Sequence, residues 1–298
     1  MRAMSFAAIT AVLTITLPVT ASCAEKYKHG KQLQPVIQVN EVSSFLSINE
    51  NFILPLHLPT KFLGHNPREI ILIAIDKLPA LKKNQFETTE EYVTRTFEPD
   101  NLIAPLSTRK VYAFTDELHS RYIADEGVIT SSIGIGSKSD VPNADITLSY
   151  SNEVTGSYVA KNAYGAVLDV SKNTGTRFEI SFNKVESSKF FGKNLNEKFD
   201  NGPYNTNISC FMDIPMTAVE AKQEIDHLAI LYITNLKPNL LSSETNLFQP
   251  EIRDPVERKN TSYKLQVKIS EIYVYSRESG KIIASLNGDQ NSVKLKCN

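Results

Sequence analysis

Apolar residues recur along this chain with two different periods. Between residues 66 and 79 the positions Ile71, Ala74, Ile75 and Leu78 fall on one face of a helix. Asn66 stands where an N-cap accepts backbone N–H bonds, Pro67 suits the first helical position, and Glu69 puts negative charge in the first turn. The β-branched run EIILIAID leaves a buried strand as the alternative, and Pro79 closes the segment in either case. Thr88 and Glu91 have the spacing of a capping box, with Tyr92 and Arg95 following at helical intervals. Thr217 and Glu220 repeat that spacing ahead of the apolar strand LAILYI.

From Arg109 onward the period becomes two. The segments VYAF, RYIAD, VITSSI, DITLSY, SYVAK, YGAVLDV and RFEISF are short, β-branched or aromatic, and separated by Gly, Asn, Asp and Ser. Near the C-terminus Tyr263, Leu265, Val267 and Ile269 alternate with Lys264, Gln266 and Lys268, which predicts one buried and one wet face. Beyond Ser270 both phases turn apolar, the mark of a bulge or of burial on both faces. Gly280 then sits where a hairpin turn needs a positive φ. The pattern predicts an α+β fold: a mainly antiparallel, sandwich-like β-sheet with two or three short helices. No internal repeat is present, and residues 55–298 read as a single domain behind a polar lead-in over 25–54.

The first 24 residues have a different character. Arg2 provides a short positive region, Phe6 to Leu17 an apolar stretch, and Pro18 leads into small residues, the order of an export signal. Its apolar length falls short of the roughly 20 residues a bilayer span requires, and no other stretch reaches that length. Cleavage before Glu25 or before Ser22 both satisfy the small-residue rule. Thr20-Ala21-Ser22-Cys23 is also similar to a bacterial lipobox, in which Cys23 would be acylated. The expected location is therefore periplasmic or secreted, with lipid anchoring through Cys23 as the alternative. Of the three cysteines, Cys210 and Cys297 then remain as a pair in an oxidising compartment, which predicts a disulfide between them.

Lys plus Arg total 32 against 33 Asp plus Glu, a net charge of −1, and no basic cluster suggests nucleic acid. The histidines, His29, His57, His65, His119 and His227, lack the close spacing of metal ligands, and no motif implies a cofactor. Asp116-Glu117-Leu118-His119 is the one local group with acid–base side chains. With Asp125 it supplies the candidates for a catalytic site, against the plainer reading of a solvated turn. Gly134-Ile135-Gly136-Ser137-Lys138-Ser139 misses the phosphate-loop spacing and reads as a loop between strands. Ser181-Phe182-Asn183-Lys184 matches S-x-x-K on a predicted strand without its companion motifs, and Asn287 to Asn291 is first a turn. Arg95 pairs with Glu91 at the surface, or reaches a buried carboxylate or an anionic ligand, and the last makes it the candidate binding residue.

FETTEEYVTR (Phe86 to Arg95), YIAD (Tyr122 to Asp125), SYVAKNAYGA (Ser157 to Ala166), PMTAVEA (Pro215 to Ala221) and the terminal EIYVYSRESGKII occur in an order that resembles a loosely defined family of uncharacterised bacterial exported proteins. The resemblance spans most of residues 80–286. It implies a signal peptide or lipobox and a mixed domain closed by a hairpin; Ser276 and Ile123 depart from the residues more usual there. It brings no activity to any residue. The sequence thus leads to an exported envelope protein that binds a protein, glycan or lipid partner. The alternative is a hydrolase or transferase with a site assembled from dispersed Asp, Glu, His and Ser.

Overall fold

The computed structural model describes residues 45–138, 141–161, 165, 167–192, 205–287, 293 and 295–297. The stretch expected to be an export signal, Cys23, His29 and most of the lead-in lie outside these residues, as do Gly288 to Asn291.

Helix α1 (Pro67–Leu81) settles the choice at EIILIAID in favour of helix. The Asn66 side chain accepts from the backbone N–H of Arg68 at 3.0 Å and of Glu69 at 3.4 Å. Ile70, Ile71 and Ala74 are buried, each isoleucine contributing roughly 2 kcal/mol to the packing. Pro79 lies inside the last turn and the helix continues to Leu81, two residues past the expected stop. A proline so near the C-terminus leaves only the last turn to be completed, and Lys82 N–H closes it on the Pro79 carbonyl. Helix α2 (Thr89–Thr96) begins with the Thr88–Glu91 capping box, and α3 (Asp100–Ile103) is a single turn.

Ten strands follow, all in one sheet: β1 (Val111–Glu117), β2 (His119–Ile123), β3 (Val128–Lys138), β4 (Asn143–Lys161), β5 (Val167–Asn183), β6 (Asn205–Pro215), β7 (Leu228–Phe248), β8 (Val256–Ser276), β9 (Ile282–Ser285) and β10 (Leu295–Cys297). Among the described residues two further α-helices interrupt them, α4 (Ser188–Phe191) and α5 (Ala218–Glu224), the latter opening on the Thr217–Glu220 capping box. The fold is α+β and predominantly antiparallel, with β5–β8 the one parallel pair among the described strands. Its strands form one continuous sheet, in the order β1-β7-β8-β5-β4-β3-β6-β10.

The route of β1 into β2 shapes the functional region. β1 pairs with β7, the chain bends at buried Leu118, and β2 pairs instead with the opposite end of the sheet, at β3. β6 occupies one edge of β3 over its whole length, so β2 and β4 share the other edge in series. Pairing to β2 ends at Ser132 and pairing to β4 starts at Gly136, which leaves Ile133, Gly134 and Ile135 without a strand neighbour on that edge. GIGSK is therefore strand, not loop. Glycine suppressed the strand signal there, yet Ile133 and Ile135 are buried and give the segment its period of two.

One face of β4, β5 and β8 is apolar, with Ile146, Ile180 and Leu265 buried on it, and α1 packs against these strands. A second apolar cluster joins Phe52, Leu58 and Phe62 to Ala113, Leu231 and Tyr275. Ile48 and Phe52 are buried, so the folded body includes residues from Phe45 onward, ten before the expected boundary. Isolated apolar residues in a polar stretch carry no period to read. In β8 the doubled apolar phase reflects both anticipated causes: a bulge at Ser270 and burial of Ile272, Val274 and Tyr275. Gly280 has φ 70° at the turn. Cys210 and Cys297 lie directly opposite each other on β6 and β10 and form the disulfide. Among the described residues no helix is long and apolar enough to cross a membrane.

Candidate functional site

The break between β2 and β4 opens into a cleft of about 1140 Å³. Its floor is the second, polar face of the sheet, and strand register shows how it is built. Thr147 on β4, Glu179 on β5, Lys264 on β8 and Ser242 on β7 form one cross-strand row. Tyr150, Arg177, Ser262 and Glu244 form the next. The alternation that buries Phe178, Ile180 and Leu265 necessarily delivers Arg177, Glu179 and Lys264 to this floor. Across β3 the same face presents Ser132, Gly134 and Gly136, whose small size keeps that side low. The end of β1 and the start of β2 and α1 supply the remaining walls.

Lys264 organises the floor. Its Nζ lies 2.6 Å from Asp145 Oδ2 and 3.5 Å from Glu244 Oε2. Burial opposes its charge, but the bond to Asp145 and the nearby carboxylates outweigh that and raise its pKa. Glu179 moves towards the neutral acid because it is buried beside the Asp145 charge, although Thr147 Oγ1 donates to it at 3.0 Å. Asp145 Oδ1 is buried and has no hydrogen-bond partner. Arg177 makes no ion pair or hydrogen bond among the described residues; its guanidinium lies over the Tyr150 ring, 5.7 Å from the centroid.

At the other end stand Asp116, Glu117 and His119, all lining the cleft. Burial pushes the Asp116 carboxyl up to about 6, partly offset by the Glu117 N–H that it accepts at 2.9 Å and by the charge of Arg277. Arg277 itself pairs with Glu117 at 2.6 Å. Fully buried Tyr232, whose hydroxyl lacks a partner, is electrostatically coupled to Asp116.

The expected candidates separate. Asp116 and His119 come together in the cleft, whereas Asp125 is exposed in the β2–β3 turn and does not line it. Arg95 is also outside. Its Nε and Nη2 bind Glu87 at 2.7 and 2.9 Å, Nη2 reaches the Lys82 carbonyl at 3.0 Å, and Nη1 binds the Ala80 carbonyl. It clamps α2 to the C-terminal turn of α1, where a cation suits the helix dipole. Its partner is Glu87, not Glu91, because the Glu91 carboxylate is held by Thr88 N–H at 2.8 Å and Thr88 Oγ1 at 2.9 Å. Phe86, two residues ahead of the Thr88 cap, is 87% exposed and does not pack against α2 as a hydrophobic staple would. His65 is structural: its ring bonds Ala113 N–H at 3.0 Å and the Glu50 carbonyl at 3.2 Å, and burial lowers its pKa. Among the described residues no group of His, Cys, Asp and Glu is arranged to hold a metal ion.

Sequence reasoning missed Asp145, Arg177, Glu179 and Lys264 as a set. Only the alternation in RFEISF and YKLQVKI signalled them, and alternation says which face is wet without saying that the face is concave. No protein-family profile, curated protein or solved structure matches the chain.

Proposed function

We propose that this is an exported bacterial envelope protein that works as a non-enzymatic binding module, receiving its ligand in the cleft on the polar sheet face. The carrying observation is the floor itself: convergent polar groups from four strands, several of them with hydrogen-bonding capacity left over, in a preformed concavity. The export signal, and the resemblance to bacterial exported proteins, support the periplasm or the exterior as its location. The Cys210–Cys297 disulfide is compatible with either.

Site-specific photocrosslinking in the native host tests the binding role. A photoreactive residue at Tyr150 is expected to capture an envelope component, while the same residue at exposed Asp125 captures none. Equal capture at both positions, or none at Tyr150, refutes the reading. Intact mass of the recovered protein, before and after reduction, separates a chain that starts at Glu25 from one acylated at Cys23.

A second reading has its own observation: a carboxyl with a pKa of about 6 beside His119 in a cleft is suited to general acid–base chemistry. Hydrolysis of chromogenic ester, phosphate or glycoside substrates that disappears in Asp116→Asn would establish it.

A further inference from the structure

Resting on that binding role, we infer that the cleft takes an oligosaccharide: a neutral, hydroxyl-rich ligand several sugar units long.

The argument begins with groups that the fold leaves unspent. Asp145 Oδ1 is a buried acceptor with nothing donating to it, although Oδ2 of the same carboxylate is engaged by Lys264. A buried acceptor in this state carries a desolvation cost that a ligand donor would relieve. On the adjacent strand β5, Arg177 offers guanidinium donors that meet no acceptor among the described residues. Glu179, between them on the floor, accepts from Thr147 Oγ1 at 3.0 Å and keeps further acceptor capacity. A ligand satisfying all three must itself donate and accept from closely spaced atoms, and the hydroxyl is the group that does both.

Charge narrows the class further. An anion such as phosphate would approach Arg177 and Lys264 but meet Asp145, Glu179 and Glu244 beside them, and a cation would meet the reverse. Acyl chains would find a floor of charged side chains, whose desolvation opposes them. A polyhydroxyl ligand has no net charge to be repelled.

The floor also provides a flat ring. Tyr150 is 53% exposed and lies across Gly175. A Cβ there would collide with the Asn260 side chain and come within 3.1 Å of the Tyr150 hydroxyl, so glycine lets the ring lie close to the sheet. The C–H face of a pyranose suits such a ring, whose π-face is electron-rich. Gly134 borders the same space, where a Cβ would meet no atom within 4 Å. At about 1140 Å³ the cleft exceeds the roughly 300–1,000 Å³ of small-molecule sites, which favours a chain of sugars over one.

Isothermal titration of the mature protein with glucose-, mannose- and N-acetylglucosamine-based mono- to hexasaccharides tests this. Inorganic phosphate and phosphatidylglycerol vesicles serve as counter-probes. The expected result is binding of at least one neutral series, tightening with length and little changed by salt. Arg177→Ala should weaken it by about tenfold, the loss of one good polar contact. Gly134→Leu should abolish it with the melting temperature unchanged, since the added side chain enters open space. Absence of binding across all three series overturns the inference, as does binding only of phosphate or vesicles, or neutral-sugar binding that both variants leave intact. Should Tyr150 still crosslink an envelope component while every oligosaccharide fails, the binding role stands and the ligand class falls.

Discussion

Replacing Asp116 with Asn should stabilise this protein near neutral pH and leave it unchanged in acid. The carboxyl has a pKa of about 6 in the fold against an ordinary 3.8. A folded pKa above the unfolded one means that the folded state binds the proton more tightly, so stability falls as pH rises from about 4 to about 6. Below pH 3.8 the group is protonated in both states and costs nothing. Above pH 6 it is ionised in both, and the full difference of about two units opposes folding by about 3 kcal/mol. Asn keeps the oxygen that accepts from Glu117 N–H and removes the charge. Urea denaturation of wild type and Asp116→Asn at pH 4 and pH 7.5 isolates the effect, because other titrating groups cancel in the difference. The variant should match wild type at pH 4 and exceed it by up to about 3 kcal/mol at pH 7.5, at unchanged m. Equal stability at both pH values, or a loss at pH 7.5, refutes the claim that burial holds this carboxyl in an unfavourable state.

Four further outcomes are expected. Lys264→Ala removes the cation that neutralises Asp145 and Glu244 and should cost about 3–5 kcal/mol in urea denaturation; Asp145→Asn in the same chain should recover part of it. Gly280→Ala should destabilise by at least about 1–2 kcal/mol, since φ is 70° and the added Cβ would strike the Leu58 carbonyl. Reduction, or joint replacement of Cys210 and Cys297 by Ser, should lower thermal stability by up to about 4–5 kcal/mol for a loop closed over 87 residues. Arg95 pulls the Glu87 carboxyl down to about 2, below its ordinary 4.5, so the clamp on α2 should persist above that ordinary value and fail as pH falls towards 2. Accelerated amide exchange confined to α2, abolished as a pH-dependent step in Glu87→Gln, reads this out.

Local signals in the sequence located the elements well. Asn66, Thr88 and Thr217 cap α1, α2 and α5 because each supplies a short-range hydrogen bond that needs no tertiary context. The terminal hairpin is equally local. What escaped was set by partners distant in sequence. Arg95 was legible as a helical cation, but its role depends on carbonyls at the end of another helix. The cleft depends on β1 leaving β7 at Leu118 to join β3, and no pattern in residues 111–123 records that change of partner. Asp116 and His119 were found because they are neighbours in sequence. Asp145, Glu179 and Lys264 were not, because a parallel pairing between β5 and β8 brings them together.

Among the described residues the buried side-chain groups with no hydrogen-bond partner are Asp145 Oδ1, Asn173 Oδ1, Glu224 Oε2, the Tyr232 hydroxyl and Arg277 Nε. Asp145 and Arg277 line the cleft, and Tyr232 is coupled to Asp116, which lines it too. Asn173 and Glu224 lie outside it, while His65 and Gln266, also away from the cleft, are satisfied: His65 uses both ring nitrogens, and Gln266 bonds Asn143 at 3.1 Å and Ser242 at 3.0 Å. A fold selected for stability alone would have no reason to keep Asp145 Oδ1 and Arg277 Nε unmet at one concavity, since hydrophobic replacements of similar shape would remove the cost. Those two groups, in a cleft that also holds a carboxyl kept near pKa 6 and an arginine resting on an exposed tyrosine, mark the place where sequence-wide consistency gives way. That departure is the physical ground for assigning function to the cleft, ahead of the exposed turn at Asp125 or the fully bonded clamp at Arg95.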